Sequence, residues 1–469
     1  MNRHFALSLA TAAVLCTAAC SCGDTSDTPQ PVTPRVESQS PVSGATEIAI
    51  EPGCIEIVFE RPVTLADASG VGLTPEATVE IKVQNRSATI SYGQLDYQTD
   101  YTLHLAAGTL ADKSTGAPSE TITVRFRTVD KPYTPPTEPA KTLVTADAMP
   151  RAQRVYDYLW QQYGHKTLSS AIAKVAWNTD EIDWIEKWTG KYPAIATFDY
   201  IHLASSPSNW IDYTDIGIVK DWWQAGGLVS ACWHWNVPKS QSAAAGEVTC
   251  TPDETTFRAG NALKEGTWEN ARMKADLTKM ADMLLLLQEQ GIPVIWRPLH
   301  EAAGNTYEYP GGKAWFWWGY DGAETYVALW RTMFDYFRER GLRNLIWVWT
   351  TQTKDIDFYP GDEYVDIIGR DLYDMTSVQD IASQWNTIVK AFPHKMITLS
   401  EMGNVADIAS QWEAGAKWSY FMPWYDYDND YTSAYAHRHA TIAWWKRAFA
   451  SEAVLSRDDL PDFRQTEQN

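Results

Sequence analysis

A chain of 469 residues with 45% hydrophobic and 21% charged content is long enough for two or three globular domains. Its formal net charge of −20, from 59 acidic against 39 basic side chains, repels phosphate backbones and argues against nucleic acid as a partner. The 23 Trp and 23 Tyr exceed what cores require, so some of these rings face solvent, where they suit neutral, hydroxyl-rich ring ligands better than anions.

Taken in chain order, Arg3 and His4 precede the apolar stretch "FALSLATAAVLCTAAC", which leads through small residues to Cys20. It is too short to span a bilayer, and residues 1–22 read as an export signal outside the fold. "TAAC" marks Cys20 for lipidation after cleavage, with Cys16 and Cys22 as rivals and plain secretion as the other outcome. "CSCGDTSD" places acids soon after the cysteine and resembles the surface-export signal of Bacteroidetes lipoproteins. The resemblance implies an exported protein tethered by lipid to the outer membrane, with the cell surface as one destination.

Residues 23–34 are polar, with Thr and Pro, and read as a flexible stalk. Between 35 and 128 come the short alternating runs "CIEIVFE", "TVEIKV", "SATISY", "YTLHLAA" and "TITVRFRT", separated by turn residues. Alternation means one buried face per strand, hence a small all-β sandwich. The pattern "SPVSGATEIAIEPGCIEIVFERPV … YTLHLAAGTLADKSTG … VRFRT" resembles bacterial Ig-like domains, which implies a spacer beneath an enzyme. "DKPYTPPTEPAKT" within 129–142 is a stiff proline-rich linker.

From 143 to 457 strand-like runs alternate with amphipathic helices such as "ENARMKADLTKMADMLLLLQEQ" and "GAETYVALWRTMFDYFRER". The strand runs are "KTLSSAI", "YPAIATFDY", "GLVSACWHW", "IPVIWRPLHE", "NLIWVWT", "VDIIGRDLY", "MITLSEMG" and "WSYFMPWY". Eight β/α repeats in about 310 residues predict a (β/α)8 TIM barrel. A doubly wound sheet is the rival, but its Gly-rich fingerprint is missing. Residues 458–469 are left as a C-terminal tail. The fold class is therefore α/β, a barrel preceded by an Ig-like sandwich.

Three of the six cysteines lie in the signal region, and Cys54 stands alone in the first domain. Cys232 and Cys250 either pair in an oxidising compartment or stay apart, because sequence does not give their separation. There is no C-x-x-C, no H-E-x-x-H and no Walker loop, so neither metal nor cofactor is expected.

In a barrel, residues at the C-terminal strand ends line the active-site face. Those ends carry Asp199, Tyr200, His234, Trp235, His300, Glu301, Trp349, Asp371, Tyr373, Glu401 and Trp424. Glu301 ends the fourth run and Glu401 the seventh, so the two face each other across the barrel. Cleaving a glycosidic bond needs such a pair, one carboxylic acid to protonate the leaving oxygen and one carboxylate to attack carbon or activate water. The bland reading makes either glutamate a structural carboxylate paired with Arg297 or Arg370; two in otherwise apolar runs favour function.

"WRPLHE … WFWWG", "GRDLYD" and "LSEMG" together resemble glycoside hydrolase family 26, mostly β-mannanases with a retaining (β/α)8 barrel. The resemblance implies Glu301 as acid/base and Glu401 as nucleophile of a double displacement, with carboxyls roughly 5–5.5 Å apart. It also implies sugar contacts from His234, Trp235 and His300, a hydrogen bond from Tyr373 to the nucleophile, and Trp315 as the aromatic beside the acid/base. The sequence departs from the short family form, because "AAGNTYEYPGGKA" separates Glu301 from Trp315. Tyr307, Glu308 and Tyr309 on that insert are placed to line or narrow a subsite.

Flat indoles cover the C–H faces of pyranoses, and Trp315, Trp349 and Trp424 are the candidates. At least two of Phe316, Trp317 and Trp318 are expected to be packing residues. The expected partners are β-mannan or manno-oligosaccharides, a membrane through the lipid anchor, and no second copy of the chain. The alternatives are the same mechanism on β-glucan or xylan, a surface glycan-binding lipoprotein without turnover, and a barrel acting on a non-sugar substrate. Loop lengths alone leave endo against exo action open.

Overall fold

In Gly53–Phe59 every second side chain is buried, Ile55, Ile57 and Phe59 pointing inward while Cys54 is exposed. The same alternation organises the rest of the first unit, whose residues run to Val129. One sheet orders the strands Val36–Ser40, Gly53–Phe59, Ser87–Tyr92 and Val79–Gln84. The other orders Ala45–Ile48, Ile122–Thr128, Asp100–Leu105 and Val71–Thr74. Ile57, Phe59, Ile90, Leu103, Val124 and Phe126 fill the space between them. This is the expected sandwich, and all five quoted runs form strands within it.

The structure, a computed structural model, describes residues 31–129, 142–206, 211–428 and 430–465. The signal region with Cys20, most of the stalk and nearly all of the linker lie outside the described residues. No helix among the described residues is long and apolar enough to cross a membrane.

The second unit is a closed barrel of eight parallel strands. They are β1 (Thr167–Ile172), β2 (Ile195–Asp199), β3 (Leu228–Trp233), β4 (Val294–Pro298), β5 (Leu345–Thr351), β6 (Ile367–Tyr373), β7 (Met396–Gly403) and β8 (Tyr420–Pro423). Each pairs with the next, and β1 closes the ring by pairing with both β2 and β8. Every residue of β1 to β5, β7 and β8 is buried. That follows from helices covering one face and barrel filling the other, and it is why these strands read as unbroken apolar runs.

Helix Trp268–Glu289 starts where the Thr267 hydroxyl accepts from the Asn270 N–H at 3.0 Å, satisfying a donor that the helix leaves open. Helix Ala323–Glu339 buries Leu329, Trp330, Met333, Phe334 and Phe337. Trp296 of β4 and Trp347 of β5 point outward onto Phe337, with ring centroids 6.3 and 6.1 Å away. The strand period of two therefore turns Arg297, the residue after Trp296, into the barrel.

One expectation needs correction here, and one open alternative is decided. Packing does not stop at residue 457: Phe463 is buried, its ring lies edge-on to Tyr158 at 5.4 Å, and its carbonyl accepts from Arg151 Nε at 3.1 Å. The start of the supposed tail is thus part of the barrel unit. Cys232 and Cys250 are both free, so the disulfide alternative is not realised.

Candidate active site

The chain leaves β4 through a tight turn in which Leu299 and Glu301 both adopt left-handed backbone, φ 47° and 52°. Such conformations cost about 1–3 kcal/mol per non-glycine residue and persist only when their surroundings hold them. Three bonds hold this one. The Tyr326 hydroxyl donates to the Leu299 carbonyl at 2.8 Å, the Trp318 indole to the His300 carbonyl at 2.9 Å, and the Gly304 N–H to the Glu301 carbonyl at 3.0 Å. Gly319 presses so closely that a Cβ there would overlap the Ala302 carbonyl. Two aromatics of "WFWWG" are therefore clamps: Trp318 pins the acid-bearing turn, and Trp317, fully buried, donates to the Trp235 carbonyl at 2.7 Å. Phe316 stacks on Trp318 at 4.4 Å and faces His300 at 5.3 Å.

Opposite this turn, Glu401 sits buried on β7. Tyr373 donates to its Oε1 at 2.6 Å, and the Arg297 guanidinium pairs with its Oε2. Arg297 also reaches Asp371 Oδ2 at 3.2 Å, and Ser400 donates to the other Asp371 oxygen at 2.7 Å. Register supplies this cluster: Asp371 is paired with Glu401 across β6 and β7, where a shift between Arg370 and Asp371 re-aims the strand end. The pairing of Glu401 with Arg297 is the contact that the bland reading anticipated. Its setting is not bland, because the same carboxylate also takes the hydroxyl of half-exposed Tyr373 at the barrel mouth.

Charge and burial separate the two glutamates. Burial pushes the Glu301 carboxyl well above the usual carboxylate range, and the negative charges of Asp371 and Glu401 push it further, against the opposing pull of Arg297 and Arg370. Asp371 is raised as well, first by burial. Burial lowers Arg297, but Asp371 and Glu401 outweigh it, so the guanidinium stays charged. One carboxyl that keeps its proton beside one held by a cation and a hydroxyl is an acid and nucleophile arrangement.

A second polar chain crosses the floor. Asp199 Oδ2 lies 2.7 Å from His234 Nδ1, and His234 Nε2 lies 3.1 Å from His300 Nε2. Burial lowers His234, but the Asp199 charge outweighs it and the net shift is upward. Burial, Arg297 and His234 together hold His300 well below the ordinary imidazole value, so His300 is neutral. Asp199 holds Nδ1 of His234, the two Nε2 atoms share one hydrogen bond, and the buried Nδ1 of His300 is left without a partner. Cys232 completes a group with Asp199 and His234 whose ligand atoms lie within 4.8 Å of one another. Its thiol is pushed well up by burial, so it is no thiolate, and both other members already bond each other. The donor set orients imidazoles.

The remaining sequence candidates divide. Trp424, at the end of β8, lies 5.6 Å from the His234 ring, and Trp315 is 40% exposed. Trp349 and Trp235 are fully buried and cannot meet a sugar. Trp349 points outward from β5 onto Tyr359 and Phe392, and Trp235 stacks on Trp233 at 4.2 Å while its indole donates to Asp276 at 2.9 Å. Both are corrected to core residues. What sequence reading missed is the clamp role of Tyr326 and Ser400's hold on Asp371; no local signal marks either.

Fold and site together define a class: barrel enzymes that work with two carboxyl groups set at opposite strand ends. A family model, glycosyl hydrolase family 26, matches residues 144–458, and a bacterial Ig-like domain model matches residues 30–128. The chain belongs to glycosyl hydrolase family 26, with an N-terminal bacterial Ig-like domain.

Among its relatives, mannan endo-1,4-beta-mannosidase B of Piromyces sp. is 33% identical over 337 residues, 69% of this chain and 54% of that protein. The chain thus spans about half the length of the curated relatives it matches. The family 26 domain of an endo-beta-mannanase/endo-beta-glucanase from Prevotella bryantii is 42% identical, with a TM-score of 0.63 over 69% of this chain and 99% of that one. A ruminal endo-beta-1,4-mannanase of the same family is 25% identical, with a TM-score of 0.63 over 88% of this chain and 91% of that one.

Proposed function

We propose that this protein hydrolyses β-1,4-mannosidic bonds of mannan, glucomannan or galactomannan by double displacement, as an exported lipoprotein anchored through Cys20. The observation that carries the reading is the division of labour between the glutamates: Glu301 holds a proton while Arg297 and Tyr373 fix Glu401. The names of the relatives supply the polymer.

In the first step a Glu401 oxygen attacks the anomeric carbon, and Glu301 gives its proton to the departing glycosidic oxygen. The bond from Glu401 to carbon replaces the bond to the leaving sugar. As negative charge leaves Glu401 for the ester, its repulsion of Glu301 falls and Glu301, now ionised, is stabilised as a base. Glu301 then takes a proton from water, the oxygen attacks the same carbon, and the ester breaks to return Glu401. Positive charge developing on the sugar meets Glu401, while the linked His300 and His234 rings pack at the floor.

Product analysis on linear β-1,4-mannan, with cello- and xylo-oligomers in parallel, tests this reading. Wild type should release manno-oligosaccharides, and Glu401→Ala and Glu301→Ala should not. Turnover of glucan or xylan in place of mannan would change the polymer, and binding without any turnover would move the protein to glycan capture.

A further inference from the structure

The insert between Glu301 and Trp315 closes on itself and then ties down both of its neighbours. At its base the Asn305 N–H donates to the Lys313 carbonyl at 3.2 Å, and Asn305 Oδ1 accepts from the Lys313 N–H at 2.8 Å. The backbones meet so closely that a Cβ at Gly312 would overlap the Asn305 carbonyl, and Gly304, at φ +55°, is equally confined. Lys313 pairs with Asp253 in the loop after β3. On the other side Glu308 pairs with Lys354 at 3.0 Å, and the Tyr307 hydroxyl donates to Asp357, both in the loop after β5. The insert is therefore a brace across three successive loops at the barrel mouth.

Two rings stand on that brace. Tyr307 is 41% exposed, fixed by Asp357 at its hydroxyl and by Phe358 at its edge, 6.2 Å between centroids. Tyr309 is 56% exposed, and its phenol oxygen accepts from Asn305 Nδ2 at 2.6 Å. Exposed aromatics whose hydroxyls are held lose less freedom when a ligand covers them. Glu308 and Lys313 are each paired with an opposite charge, which favours a neutral ligand over an ionic one. A general acid acts on the leaving oxygen, so groups carried on its own loop border the departing sugar.

We propose that Tyr307 and Tyr309 form a platform for the sugar units on the leaving-group side of the bond being cut, an inference that rests on the mannanase reading above. The pyranose C–H faces cover the phenol rings, and their hydroxyls meet the paired polar groups beneath.

The test compares wild type, Tyr307→Ala/Tyr309→Ala and the milder Tyr309→Ala on two substrates. One is β-1,4-mannohexaose, labelled at its reducing end. The other is a nitrophenyl β-mannobioside, whose leaving group carries no sugar. The ratio of kcat/KM for hexaose to that for the aryl substrate should fall on the order of tenfold in the double variant and less in the single one. The preferred cut should move towards the reducing end of the hexaose, because fewer sugars are then held on the leaving side. An active wild type whose variants keep both ratio and cut position overturns the platform alone, as does an equal loss on both substrates. A wild type inert on both substrates removes the mannanase reading, and the platform with it.

Discussion

Arg297 touches two carboxylates and does something different for each. For Asp371 it offsets the burial that would otherwise leave a carboxylate uncompensated in the barrel, and for Glu401 it fixes the oxygen opposite the one taken by Tyr373. Removing the Tyr373 hydroxyl leaves Glu401 in place but frees one oxygen. Tyr373→Phe should therefore lower kcat about 10²-fold with KM little changed, by initial-rate kinetics on mannohexaose. Glu301 carries a pH signature. Its raised pKa means that activity persists while the proton is held and falls as pH rises through that value. Glu301→Gln should lose most turnover and also lose this basic limb in the kcat/KM profile. The same shift has a stability side. Below about pH 4 the folded and unfolded states both hold the proton, and above the folded pKa the native state bears a buried charge it disfavours. Glu301→Gln should raise Tm by on the order of a few degrees at pH 8 and not at pH 4, by calorimetry at both values.

At the scale of elements, the eight strands were legible because each is a short apolar run bounded by turn residues, with an α-helix between all but one successive pair. Glu301 and Glu401 were legible for the same reason: a carboxylate closing an apolar run stands out. What was not legible is which face a strand residue takes once both faces are apolar. Trp347, Trp349 and Trp296 all point towards helices, and nothing in "NLIWVWT" distinguishes that from the barrel side. The turn of Leu299 and Glu301 was hidden too, because left-handed backbone at non-glycine residues leaves no trace in composition. The two tryptophans make the contrast measurable. Trp349→Ala should destabilise the barrel by about 3–5 kcal/mol in urea titration, with KM unchanged in the folded fraction. Trp315→Ala, at an exposed position, should leave the urea midpoint nearly unmoved and raise KM for mannohexaose several-fold.

For the whole molecule, the two units have separate cores, one of aliphatic, Phe and Tyr side chains between two sheets and one rich in tryptophan and aliphatic side chains around a barrel. The chemistry resides wholly in the second. The proposed anchoring through Cys20 is tested at the scale of the cell: Cys20→Ala should move the protein from the membrane fraction to the soluble exported fraction without altering kcat/KM. Within the barrel, Glu401 is proposed to form a covalent bond to the sugar while Glu301 serves it. The most direct measurement is peptide mapping by mass spectrometry after incubation with a 2-fluoro-β-mannosyl fluoride, whose electron-poor sugar forms the ester but hydrolyses slowly. A single glycosyl adduct is expected on the peptide holding Glu401, absent in Glu401→Ala. An adduct on another carboxylate, or steady turnover of the reagent with no adduct and an inverted product, would contradict it.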